Sequence, residues 1–132
     1  MKDPTLQIRA HYIDLLDISV PVYNMATLSA EPPFVIISTR SQQAVNKTSF
    51  DHTVTTTMNI IVKTDGDWGG DKLAEDIANE ILPLVTTRPY GQTDDFKIIT
   101  NTVEASDPIS EVTETGRAIS KVITIENYVS QL

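Results

Sequence analysis

The chain contains no cysteine. Disulfides, thiolate nucleophiles and thiolate-held metals are thereby excluded together. The opening MKDPTLQIRAHY lacks the apolar run of a signal peptide, so folding in a reducing cytoplasm is expected. Glycine is scarce, with 5 in 132 residues, which argues against long flexible linkers. Cations are outnumbered, 10 Lys and Arg against 18 Asp and Glu, for a formal net charge of -8. That sign works against binding a phosphate backbone unless the cations gather on one face, and they are scattered along the sequence. No apolar run approaches the ~20 residues that a membrane-spanning helix needs. What is present, 40% hydrophobic and 21% charged residues without blocks, is a globular composition. At this length folding hides roughly two thirds of the unfolded surface, enough for one core in one domain over residues 1–132.

The stretch EPPFVIIST, residues 31–39, sets two prolines against four successive apolar residues, Phe34, Val35, Ile36 and Ile37. It is too short for a membrane span and β-branched in character, so it predicts a buried strand over residues 34–41 leaving a rigid elbow. Upstream, Asp3 and Pro4 predict an N-cap with proline at the first helical position. Leu6, Ile8, Tyr12, Ile13, Leu15 and Leu16 then give a broad apolar side to a helix over residues 4–16. ISVPVYN is a short extended piece, because the residue before Pro21 is pushed out of the α region.

The cleanest pattern is TVTTTMNIIVKT. Val54, Thr56, Met58, Ile60 and Val62 share one side, and Thr53, Thr55, Thr57, Asn59 and Lys63 line a mostly polar one. DGDWGGD breaks it, after which Leu73, Ile77, Ile81 and Leu82 recur at helical spacing until Pro83. Two further strands follow, FKIITNTVEAS and RAISKVITIENYV, with the acidic, turn-prone DPISEVTETG between them. In the last strand Ile119, Ile123, Ile125 and Val129 occupy one face while Val122 and Tyr128 occupy the other. This predicts a central position or a second face covered by another subunit. The order yields an α+β fold: a mainly antiparallel sheet with two main helices packed on one face.

The leading helix, the PPFVII strand opening, the threonine-rich strand ending in IIVKT, the helix in WGGDKLAEDIANEILPLV and the long final strand together resemble bacteriophage tail-completion (tail-terminator) and related neck proteins. The resemblance covers nearly the whole chain and is one of element order and texture; the acidic stretch at residues 107–115 departs from the more familiar members. It implies a structural virion protein assembled in the host bacterial cytoplasm. The assembly is a homo-oligomeric ring, hexameric or alternatively dodecameric, at the phage tail or head-tail neck. Its implied partners are further copies of itself and neighbouring tail-tube, neck or portal-associated proteins, with DNA only as transient cargo and no membrane. It carries over no catalytic, cofactor-binding or metal-binding residues. The rival expectation is a small ligand-binding or enzymatic α+β domain with a pocket between helices and sheet.

Each chemically suggestive feature has a plainer account. DGDWGGD offers Asp65, Asp67 and Asp71, with Asp76 further on. However, Gly69 stands where a calcium loop wants an oxygen, the terminal glutamate is missing and a strand precedes the loop. A strand-to-helix turn, its carboxylates favouring the helix N-terminus, is expected instead. His11 and His52 are far apart, with no metal spacing and no nucleophile elbow, and are expected to be surface or partly packed. The neighbours Asp94 with Asp95, and Glu75 with Asp76, do not converge as an acid and base pair would. Trp68, Arg88, Tyr90 and Tyr128 are the candidate interface anchors. Asp65, Asp67, Asp94, Asp95, Glu104 and Asp107 are the candidates to face a ring lumen, where negative charge repels the duplex and keeps it sliding.

Overall fold

A computed structural model describes residues 3–24, 32–43, 51–64, 70–87, 90–113 and 116–132. Helix α1 (Thr5–Leu15) leads into the short strand β1 (Val22–Tyr23), then β2 (Phe34–Gln43) and β3 (Asp51–Thr64). Helix α2 (Gly70–Thr86) follows, then β4 (Phe96–Ile98), β5 (Thr102–Ala105), β6 (Ile109–Thr113) and β7 (Gly116–Gln131). The fold is α+β. One 7-stranded sheet runs β1-β2-β3-β7, and the far side of β7 is shared by β4, β5 and β6. Only the β1–β2 pair is parallel. The two-faced apolar strand predicted at the C-terminal end is β7, and it lies centrally, paired along one edge with β3 from Thr64↔Arg117 to Asp51↔Ser130.

Both helices pack on one face of this sheet. Val54, Thr56, Met58, Ile60 and Val62 of β3 are all buried there beside Ile119, Ile123, Ile125 and Val129 of β7, so the alternation read from each sequence gives the correct inner face. Above them α1 sets Ile8 and Tyr12, and α2 sets Ala74, Ile77, Ala78, Ile81 and Val85. The spacing of that second set closes one helical stripe. Leu73, expected within it, is exposed, and Leu82 is only half-buried.

At the start of α1 the capping oxygen belongs to Asp3, whose Oδ1 accepts from the Thr5 amide at 2.9 Å and the Thr5 hydroxyl at 2.6 Å. Those bonds, the hydroxyl one first, hold the Asp3 carboxyl below its ordinary value.

Pro83 does not end α2. The helix continues to Thr86, because a proline so near the C-terminus removes only one bond and the last carbonyls find other donors. Thr86 Oγ1 donates to Leu82 O, Thr87 Oγ1 to Pro83 O, and Asn101 Nδ2 to Val85 O.

The strand predicted over residues 96–106 is also different. Between the pairs Ile98↔Val129 and Thr102↔Glu126 the outer chain advances four residues while β7 advances three. The same excess recurs between Ala105↔Ile123 and Ile109↔Ser120. Each extra residue is a bulge: Ile99 N and Thr100 N both point at Tyr128 O, and Ser106 uses its amide on Val122 O and its Oγ on Val122 N. The acidic stretch taken for a connection therefore contains β6, which pairs with the start of β7.

Candidate assembly surfaces

No described segment covers the sheet face opposite the helices, and its register can be read as cross-strand rows. One row runs Arg40, Thr55, Glu126, Thr102; the next runs Ser38, Thr57, Thr124, Glu104. At the other end Phe34, Ile61, Ser120 and Ile109 form a row, with the Tyr23 ring edge-on to Phe34 at 5.8 Å. The face is thus threonine-rich in its middle and apolar at one corner, where Ile109 is 61% exposed. A shallow cavity of about 380 Å³ lies along the polar end, bounded by Arg40, Ser41, Gln42, Thr53, Thr55 and Glu126.

Each bulge shifts the outer chain by one residue and so inverts which of its side chains face outward. In β4 the even residues Phe96 and Ile98 are buried, whereas in β5 Val103 turns inward against Ile125 and Glu104 turns outward. In β6 Ile109 and Glu111 turn to the open face. The bulges therefore place Glu104 and Glu111 on one face at one edge, with exposed Asp107 between them.

The first bulge is held from beneath by a buried polar network. Tyr12 Oη donates to Asn127 Oδ1 at 2.6 Å. Asn127 Nδ2 reaches Thr100 O at 2.9 Å and Asn101 Oδ1 at 3.1 Å, while Asn101 caps the end of α2. Burial pushes the Tyr12 hydroxyl up to about 12, against the opposing pull of the Asn127 bond.

A second cluster sits where α1 meets the chain entering β4. Gln7 donates to Asp95 Oδ2 at 2.6 Å and accepts from the Thr93 hydroxyl at 2.7 Å, binding that segment to the helix. His11 lies against Gly91, whose φ of +95° suits glycine; a Cβ there would stand 3.0 Å from His11 Cε1. Burial pushes the His11 imidazole below its usual value, partly offset by its bond to the Tyr90 backbone and by nearby Asp14. His52 departs from the expectation of a surface or partly packed side chain. At 5% exposed it is buried edge-on to Phe96, because its even position on β3 shares the inner face with Val54.

The candidate residues are not gathered at one place. Trp68, Arg88, Asp65 and Asp67 lie outside the described residues, and Asp71 falls in the first turn of α2. Tyr90 is half-buried against the core, and Tyr128 on the open face donates to Asp51 Oδ2 at 2.6 Å; that bond raises the Tyr128 hydroxyl. Asp95 is occupied by Gln7, and exposed Asp94 stands on the α1 side, whereas Glu104 and Asp107 stand along the outer edge. Arg40, Glu111 and Ile109 were not singled out by sequence, since only strand order brings them to an edge or a face. Among the described residues no three His, Asp or Glu side chains are grouped as metal ligands. No described helix is long and apolar enough to cross a membrane. Neither the protein-family models nor the curated proteins searched include a match to this chain.

Proposed function

We propose that the chain is a structural virion protein that assembles with copies of itself into a ring at a bacteriophage tail or head-tail neck, joining adjacent layers around the DNA channel. The observation that carries this reading is the shape of the sheet: helices cover one face, while the other face, the free side of β2 at residues 37–43 and the outer side of β5 and β6 have no described strand or helix over them. A surface with unlike edges suits head-to-tail association, which closes into a ring when the rotation between copies divides the circle. The element order that resembles tail-completion and neck proteins supports the same reading. Function then rests on geometry, with no covalent step.

Sedimentation and negative-stain imaging of the purified protein, alone and mixed with tail-tube, neck or portal-associated proteins, test it. Ring-shaped particles or co-assembly are expected. A protein that stays monomeric into the submillimolar range and joins none of those partners rejects the reading.

A further inference from the structure

The two lateral edges of the sheet are unlike in charge. On one side, β1 pairs with β2 only at Val35 and Ile36, so over residues 37–43 no described strand pairs with β2 on the side away from β3. The charged side chain of that stretch is Arg40, exposed and turned to the open face. On the other side, β5 and β6 have no described strand beyond them, and residues 102–113 carry Glu104, Asp107 and Glu111, all exposed, with no cation among them. The bulges put Glu104 and Glu111 on the same open face as Arg40. Uncovered strand edges present unpaired N–H and C=O groups that another strand can complete.

We infer that the exposed edge of β2 in one copy pairs with the β5–β6 edge of the next, setting Arg40 against its acidic side chains with Glu104 the nearest. The inference rests on the ring reading and names the two surfaces that would meet in it. Charge selects this pairing over the symmetric ones. Two β2 edges brought together set Arg40 against Arg40, and two outer edges set Glu104 and Glu111 against their own copies; like charges directly opposed across a strand pair are unfavourable. The unlike edges instead attract.

Strand direction agrees. Rotation about an axis along the strands preserves direction and height; since β2, β3, β7 and β5 alternate and residues 37–40 stand level with 102–105, β2 of the next copy meets β5 antiparallel. Because both bulges interrupt the outer edge, the strands offered are short, which limits promiscuous pairing and leaves the charges to set the choice.

Sedimentation velocity over micromolar to submillimolar protein tests the inference on three samples: Arg40→Glu, the double variant Glu104→Lys with Glu111→Lys, and their equimolar mixture. All three positions are exposed, and circular dichroism and melting verify the fold. Each variant alone is expected to weaken self-association about tenfold or more. The mixture is expected to regain it, because in a head-to-tail contact each edge of one variant then meets an opposite charge on the other. Combining all three substitutions in one chain should regain it as well.

Wild-type association untouched by either variant, or weakened without rescue in the mixture, overturns the edge assignment and leaves the ring reading standing. A wild-type chain that is monomeric throughout and joins no virion protein overturns both.

Discussion

Replacing Tyr12 by Phe tests the buried network that fastens the first bulge. Tyr12 is 2% exposed and Asn127 is 0% exposed, and the phenol donates the one hydrogen bond that reaches Asn127 Oδ1 within this network. The ring is kept, so no cavity opens. What is lost is the donor, which leaves an amide oxygen in the core at a cost of about 1–2 kcal/mol. Asn127→Ala removes more. The Tyr12 hydroxyl and the Thr100 carbonyl both lose a partner, and about 3 kcal/mol is expected. In that background Tyr12→Phe should cost almost nothing, since its hydroxyl is already orphaned. Urea unfolding at neutral pH, read by circular dichroism on the four chains of the cycle, should therefore show a coupling of about 1–2 kcal/mol. Additivity within about 0.5 kcal/mol would falsify the network.

Alkali adds a second readout of the same pair. The Tyr12 hydroxyl sits at about 12 in the folded protein against 10.0 for an ordinary tyrosine. Below pH 10 both folded and unfolded chains keep this proton, and its contribution to stability is whole. Above pH 10 the unfolded chain releases it first, so stability falls by about 1.4 kcal/mol per pH unit until the folded form ionises too. The wild-type advantage of about 1–2 kcal/mol over Tyr12→Phe should vanish near pH ~11, and the two chains should then exchange order. Parallel pH profiles for the two, with no crossing, would refute the burial argument.

Three other outcomes are expected. Gly91→Ala should lower stability by about 1–3 kcal/mol in a thermal melt, from the backbone angle and from contact with His11; an unchanged melting temperature opposes it. The His11 imidazole is lowered by burial, so its contribution is present above its unfolded value of 6.5 and fades as pH falls through the lower folded value; His11→Gln should flatten the stability profile below pH 6.5. With a net charge of -8 the free protein should not retain DNA at moderate salt in a filter or mobility assay, and salt-sensitive micromolar retention contradicts this.

Much of the fold was legible because two long strands pair without a bulge, so one side-chain alternation holds along each. Val54, Met58, Ile60 and Val62, and Ile119, Ile123, Ile125 and Val129, needed no knowledge of their partners to be placed on a buried face. The outer chain was not legible for the complementary reason. Its partner β7 is regular, but each bulge inserts one residue and inverts the alternation, so no single period describes residues 96–113. Bulges depend on side-chain to backbone bonds such as Ser106 Oγ with Val122 N, which a periodicity cannot contain. Pro83 interrupts the apolar spacing without ending α2, and one of the donors that serve the last carbonyls, Asn101, comes from a distant segment that no local pattern reveals. Of the candidate anchors, Tyr90 and Tyr128 are engaged within their own chain. Arg40 looked like one more dispersed cation, and only sheet order sets it on an edge opposite Glu104 and Glu111.

The edge pairing bears on how a ring of this chain would present charge to DNA. Glu104 was a candidate both for an acidic wall and, through its place in β5, for a contact between copies; a carboxylate beside a neighbour's Arg40 is partly neutralised and no longer serves the wall. Asp95 is likewise turned to Gln7. Exposed Asp94, on the α1 side and away from the edge, remains free of that conflict. Yet the long-range field does not depend on which loop faces inward. Pairing Arg40 with a carboxylate of the next copy moves no net charge, so every subunit would bring its full -8 into such a ring. Repulsion of a passing duplex follows from that sum, and it weakens with salt as the screening length shortens. In such a ring, attraction between unlike edges at short range and repulsion of DNA at long range would therefore arise from the same acidic surface without competing.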